Sequence, residues 1–204
     1  MQEKLTAFIE KRMHGRSFKD NDEVYLFLVL IVAVGFAGVV HAVLFFSFIA
    51  IDILPMVGVN AVSVTIYLLA LFFTFRRHYT AAGLMVSLEI VCFAVLSQLL
   101  IGFYSYLIFF YFLVLILQLI IPYGSPWLRI GIVVLMVVLL FLQVVFEPDY
   151  VEPYPLGEHH LAFSYFNIAL TFVATVVEFF IGTYVRSSIA RGVEARTLEL
   201  ETQA

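Results

Sequence analysis

The sequence predicts an all-α integral membrane protein, a bundle of six transmembrane helices with both termini in the cytoplasm. Of its 204 residues, 63% are apolar and only 13% are charged, which is a composition typical of membrane proteins. Six apolar segments each approach or exceed the ~20 residues that cross a ~30 Å hydrocarbon core. They are apolar on all sides, which excludes a porin-like barrel with alternating strands. The segments are 24–49, 56–75, 79–101, 104–122, 127–146 and 161–185.

The lead-in at 1–23 predicts an amphipathic helix on the inner membrane surface. Leu5, Phe8, Ile9 and Met13 fall on one helical face, and basic residues lie around it. A frayed tail is the alternative. The first span is then preceded by polar residues that cap the helix and complement its dipole, namely Asp20, Asn21, Asp22 and Glu23.

The connections between the spans predict the orientation of the chain. With six spans and a cytoplasmic N-terminus, all 11 Lys and Arg residues fall on the inner side, as the positive-inside rule requires. The longest connection, 147–160, carries four acidic residues and no Lys or Arg. We therefore expect this loop to face outward. The membrane domain is 24–185, and 186–204 is a cytoplasmic connector helix.

Polar residues inside the spans predict a ligand pocket. Ionisable groups in a bilayer are costly and usually mark a functional site or a paired contact. At ~1.5 Å per residue, Glu89 lies ~15 Å from the inner edge and His41 ~25 Å from it. We expect His41, Asn60, Glu89 and Asn167 to line a ligand-binding pocket that opens to the outside. Hydrogen bonds between helices that only hold the bundle together are the alternative.

Glu89 is the strongest single indication of function. No Lys or Arg lies at its depth in any span. Its carboxyl group must therefore be protonated, or paired with His41 or with a cationic ligand. If Glu89 and Glu178 face each other, one of the two holds a proton near neutral pH.

Cofactor and enzyme chemistry find no support in the sequence. A membrane haem usually takes two imidazoles, and His41 is the only histidine well inside a span. The single cysteine excludes a disulfide within the chain and a cysteine-based metal site. No catalytic constellation, phosphate-binding loop or nucleic-acid motif is present. We expect no cofactor, no metal, no nucleic-acid partner and no catalytic activity in this chain.

The last span carries a heptad pattern that continues into the connector. A seam at spacings of four and three residues predicts close helix contact and a route for a signal. We expect Thr175, Glu178, Gly182 and Ile189 to form a relay and a dimer seam. A last bundle helix followed by a solvated tail is the alternative. The full seam is Thr171, Thr175, Glu178, Gly182, Val185 and Ile189.

Several stretches resemble the six-helix membrane module at the N-terminus of bacterial membrane-bound nucleotide cyclases. The stretches are VVHAVLFF around His41, NAVSVTIYLLAL from Asn60, RRHYTAAGLMVSLEIV leading to Glu89 and LLIGFYSYLIFFYF, together with the proline-rich outer loop and the basic exit of the last span. The likeness is to class III adenylate cyclases and GGDEF diguanylate cyclases, over about 24–200.

The resemblance implies a homodimeric receptor or anchor in the bacterial inner membrane. It would sense an outside or membrane-borne signal, an unidentified small ligand, and pass it through the last helix. A cyclase output domain would follow Ala204, and 186–204 would be the linker into it. A complete small-molecule transporter and the sensor of a histidine kinase are the alternative functions.

Overall fold

The computed structural model describes residues 21–102, 110–121, 123–146, 154 and 156–203, with side chains except at 21, 146, 181, 185, 186 and 188–203. The helix predicted within 1–23 and most of the outer loop at 147–160 lie outside these residues. Six α-helices and one 3₁₀ turn make up the described chain. They are α1 (Asn21–Ala50), α2 (Leu54–Phe75), α3 (Tyr79–Ile101), α4 (Phe110–Ile120), α5 (Pro126–Phe146), the 3₁₀ turn (Gly157–His159) and α6 (His160–Gln203).

The all-α prediction is confirmed for the described residues, among which no β-strand occurs. The helices lie over the six apolar segments, and α3 begins and ends at the predicted residues. Five of them are long and apolar enough to cross a membrane, as in a multi-pass membrane protein. The described part of α4 has 11 residues, because residues 104–109 of the predicted span 104–122 lie outside the described chain.

Two tight turns fold α1, α2 and α3 into consecutive antiparallel hairpins. The N–H of Ile53 donates to the carbonyl of Phe48 at 3.0 Å, and that of His78 donates to Phe73 at 2.9 Å. These bonds close the last helical turns of α1 and α2. The residue before each donor, Asp52 (φ 59°) or Arg77 (φ 65°), adopts the left-handed conformation. α1 therefore packs along α2, and α2 along α3.

The other helices complete the bundle around this core. α6 packs against α1 and α4, and α5 packs on the outside against α3 and α4. Most apolar side chains of α5 stay exposed, with Trp127 at 81%, as expected for a helix that faces lipid.

At one end of the bundle, residues near the starts of α1 and α3 contact each other. Glu23 Oε1 lies 3.4 Å from an Arg77 guanidinium nitrogen and accepts a hydrogen bond from the Tyr79 hydroxyl at 3.3 Å. The Tyr25 hydroxyl donates to the carbonyl of Ile120 at 2.8 Å. These contacts place the starts of α1 and α3 and the end of α4 at the same level.

The opposite end holds the α1–α2 turn and the start of α6. The rings of Phe48 and Phe163 lie 5.1 Å apart, and the N–H of Tyr154 donates to the carbonyl of Leu100 at 3.0 Å. Successive helices run in alternating directions between these two ends, which agrees with six crossings of the membrane. Which end is cytoplasmic stays a prediction from the distribution of basic residues.

A polar network closes the Arg77 end between α3 and the α4–α5 turn. The Tyr123 hydroxyl lies 2.6 Å from Ser87 Oγ and donates to the Gln118 side chain at 2.8 Å. Arg129 donates to the carbonyl of Gln118 at 3.2 Å. Burial raises the pKa of Tyr123, while its hydrogen bonds and the Arg129 charge act in the opposite direction. The Tyr123 ring lies directly on Gly83, where a Cβ atom would come within 2.5 Å of it.

Candidate functional site

Four buried polar side chains from α1, α2 and α3 meet in the middle of the bundle, and we call them the core cluster. They are His41, Asn60, Tyr67 and Glu89, each at most 5% exposed. The two antiparallel hairpins bring them together, since each turn fixes which residues of adjacent helices share a level. Gly38 lets α1 approach α2 closely at this point, because a Cβ atom on residue 38 would lie only 3.5 Å from the Cβ of Tyr67.

Asn60 fixes the orientation of the His41 ring. The Asn60 amide nitrogen donates to the carbonyl of Met56 at 2.8 Å, so its oxygen faces His41. That oxygen lies 3.0 Å from His41 Nδ1, and it can only accept. Nδ1 therefore carries the hydrogen, and Nε2 is the nitrogen that can gain or lose a proton. The ring is held from the sides by Phe93, 4.5 Å away edge to face.

The carboxyl group of Glu89 lies between His41 and Tyr67. The Tyr67 hydroxyl donates a hydrogen bond to Glu89 Oε2, and His41 Nε2 lies 3.7 Å from Oε1. Within the described chain, Oε1 accepts no hydrogen bond. The pairing with His41 that the sequence allowed for Glu89 is thus present in the geometry. The cluster can hold or exchange a proton, and Oε1 can accept a further donor.

The depths estimated from the sequence placed His41 ~10 Å above Glu89, so that only a ligand, a water or helix tilt would bridge them. The 3.7 Å distance between His41 Nε2 and Glu89 Oε1 shows that the two side chains meet without a ligand or water between them. α1 has 30 residues and α3 has 23. A helix longer than a bilayer core requires tilts, and we attribute the difference in depth to a tilt of α1 and to the length of the two side chains.

A small central cavity adjoins the core cluster. Its volume is about 30 Å³, and its polar lining residues are His41, Tyr67 and Glu178. A cavity of this size holds water but no organic ligand, since one water needs roughly 10–15 Å³. The structure therefore brings His41, Asn60 and Glu89 together beside a water-sized space. An opening of this space to the outside stays a prediction, because part of the chain at that end lies outside the described residues.

A larger groove runs along the surface between α2 and α3. It encloses about 580 Å³ and is lined mainly by apolar side chains, with Gly58, Ser63, Glu89 and Cys92 among them. Sites for small molecules span ≈ 300–1,000 Å³. Because the groove lies within two membrane-spanning helices, a ligand would reach it through the lipid.

Asn167 lies on the face of α6 that turns toward the bundle. It is 0% exposed, and its carbonyl accepts the Thr171 hydroxyl at 2.8 Å. Leu170 and Ala174 on the same face line the central cavity. Its predicted role as a fourth wall of a ligand pocket stays a prediction.

The described part of the α6 seam packs against other helices of the same chain. Glu178 lines the central cavity, and a Cβ at Gly182 would come within 2.5 Å of the Ile120 side chain. Thr175 lies one turn from Glu178 and is half-buried. The side chain of Ile189 lies outside the described set. The close approach predicted at Gly182 is thus made by α4 of the same chain, and a dimer contact stays a prediction.

Tyr67 is the member of the core cluster that sequence reasoning missed. A tyrosine in an otherwise apolar span counts as a bulky apolar residue when only ionisable groups are considered. The signal was its spacing, because the buried face of α2 also carries the polar residues Asn60, Ser63 and Thr74 at intervals of three, four and seven.

Among the described residues, no three His, Cys, Asp or Glu side chains lie together as a metal site would require. No protein-family model, curated protein or solved structure matches the chain.

Proposed function

We propose that this chain is a membrane receptor module that binds a small ligand at Glu89, in the groove between α2 and α3, and transmits the event through the core cluster to α6. The observation that carries the proposal is the central cavity, where Glu178 of α6 meets His41 of α1 and Tyr67 of α2. Any change in how Glu89 is paired alters the surroundings of Tyr67, and Tyr67 shares this cavity with α6.

α6 is suited to carry such a change out of the bundle. It is a single helix of 44 residues, which corresponds to ~66 Å. Its contact with α4 at Gly182 leaves no room for a side chain. A shift imposed near Glu178 therefore moves the rest of the helix with it, because packed helices move as rigid bodies rather than deforming continuously.

The chemistry of the ligand and the identity of the output domain are proposed on different grounds. The site favours a small ligand with a hydrogen-bond donor or a positive charge, since Glu89 Oε1 accepts no hydrogen bond in the described chain. The resemblance to membrane-bound nucleotide cyclases favours a cytoplasmic cyclase as the output and a homodimer as the working form. These assignments belong to the proposal.

The coupling between the core cluster and α6 is testable without knowing the ligand. In a Cys92→Ser background, spin labels at Arg76→Cys and Ser187→Cys report the distance between the end of α2 and α6; both native residues are exposed. We expect Glu89→Gln and His41→Gln to shift the distance distribution in nanodiscs, because each changes the pairing beside Tyr67.

Ser47→Ala is the matched control, because the Ser47 hydroxyl of α1 donates to the carbonyl of Val43 in its own helix. It should leave the distribution unchanged. Identical distributions in the wild type and both cluster variants, with helicity retained, would refute the coupling on which the receptor proposal depends.

A further inference from the structure

We propose that Glu89 and Glu178 share one proton through Tyr67 and a water molecule in the central cavity. The two carboxyl groups then form one proton-binding site that joins the core cluster to α6. This inference does not depend on the chain being a receptor, because it concerns the resting protein.

The first half of the connection is direct. Tyr67 has one hydroxyl hydrogen, and it donates this hydrogen to Glu89 Oε2. A tyrosine oxygen that donates can still accept, and Tyr67 also lines the central cavity. Its oxygen is therefore placed to accept a hydrogen bond from the cavity while its hydrogen bonds Glu89.

The second half requires one water. Glu178 lines the cavity from α6, and its Oε2 is buried without a hydrogen-bond partner in the described chain. The cavity volume of about 30 Å³ exceeds the roughly 10–15 Å³ that one water occupies, and a buried water needs two to four polar partners. Tyr67, His41 and Glu178 supply three.

The charges around the cavity favour one proton for the pair. Among the described residues, the titratable groups that face the two carboxyl groups are His41 from α1 and Tyr67 from α2 in the cavity, and Cys92 of α3 in the outer groove beside Glu89. The cavity wall from α4 is apolar, and α5 contributes no residue to it. Two carboxylates in a medium of low dielectric repel each other and lose hydration, so one proton between them removes the larger part of the cost.

The direction of the hydrogen bonds decides where that proton rests. Glu89 accepts from Tyr67 and lies beside His41, so it is the carboxylate. Glu178 as the acid donates to the water, the water donates to Tyr67, and Tyr67 donates to Glu89. A transfer along this chain leaves Glu178 ionised and Glu89 neutral, and the number of protons stays the same.

Infrared spectroscopy of the full chain in nanodiscs tests this arrangement. At about pH 8, ordinary carboxyl groups are ionised and give no carbonyl stretch of the neutral acid. We expect one such band in the wild type, shifted to lower frequency in deuterated water. Glu178→Gln should remove it, Glu89→Gln should keep it, and Tyr67→Phe should keep it at a changed frequency.

Glu158→Gln is the matched control, because Glu158 is an exposed carboxylate on the 3₁₀ turn and its loss should not affect the band. Absence of the band in the wild type, or its persistence in Glu178→Gln, would overturn the proposal. If Glu178→Gln does not fold, Glu178→Asp and Tyr67→Phe decide, since an unchanged band in both would equally refute it. The spin-label distances above read helix position and not protonation, so either proposal can fail alone.

Discussion

At the scale of single residues, Gly83 shows how tightly the Arg77 end of the bundle is packed. We predict that Gly83→Ala destabilises the protein by about 1–3 kcal/mol, the usual cost of overpacking. The added Cβ would lie 2.5 Å from the Tyr123 ring. That ring cannot move aside, because its hydroxyl is held by Ser87 and Gln118. Unfolding in mixed micelles measures the change in free energy.

Gly35→Ala is the control for this prediction. A Cβ at Gly35 meets nothing within 4 Å, so this variant should lose no stability. Equal effects of the two substitutions would show that helix propensity, and not the contact with Tyr123, sets the result.

Residue-scale reasoning from the sequence reached most of the core cluster. His41, Asn60 and Glu89 stood out because polar groups are costly in lipid, and the structure places His41 in reach of both Asn60 and Glu89. Tyr67 was missed because its hydroxyl group contributes to the site only through its hydrogen bond to the Glu89 carboxylate. Which side chains meet depends on helix rotation and tilt, and spans that are apolar on all sides do not encode either.

At the scale of elements, the α1–α2 turn carries a left-handed residue that is not glycine. We predict that Asp52→Gly stabilises the protein by about 1 kcal/mol, because side chains with a Cβ pay a steric cost in this conformation. Asp52 is exposed and has φ 59°. The measurement is unfolding in the same micelles.

Arg77→Gly provides the contrast at the α2–α3 turn. It relieves the same conformation at φ 65° but removes the ion pair with Glu23. Its gain should therefore be smaller than that of Asp52→Gly. A loss of stability with Asp52→Gly would contradict this account of the turns.

The ends of helices were predictable where charged or turn-forming residues interrupt the apolar sequence. α3 starts after the Arg76-Arg77-His78 connection and ends before Gly102, as predicted. α6 continues to Gln203, so the last predicted span and the helix predicted at 186–204 form one helix. The sequence also did not predict that Gly182 packs against Ile120. A small residue indicates close approach without naming the neighbour.

At the scale of the whole molecule, the two ends of the bundle differ in charge. Arg77 and Arg129 contact residues at one end, and Glu158 lies at the other. By the positive-inside rule, we predict that Glu158 faces outward and Ser187 faces the cytoplasm. Single cysteines at these positions, in a Cys92→Ser background, are labelled with an impermeant maleimide in intact cells.

Glu158→Cys should react in intact cells, and Ser187→Cys only after permeabilisation. The unsubstituted Cys92→Ser chain, which contains no cysteine, sets the background. The reverse pattern would invert the topology and move the connector helix to the outside.

The unequal lengths of α1 and α3 tie the core cluster to the thickness of the bilayer. Glu23 of α1 and Tyr79 of α3 are in contact, yet His41 lies ~27 Å beyond Glu23 along α1 and Glu89 only ~15 Å beyond Tyr79 along α3. Contact between them depends on the tilt of α1, and tilt responds to hydrophobic mismatch. We expect longer acyl chains to draw α1 upright and carry the imidazole away from the carboxylate. Spin labels at Ala50→Cys in α1 and Leu99→Cys in α3, both exposed, read this effect in short-chain and long-chain nanodiscs in the Cys92→Ser background, and an unchanged distance would exclude it. The pair would then act as a gauge of the membrane around it.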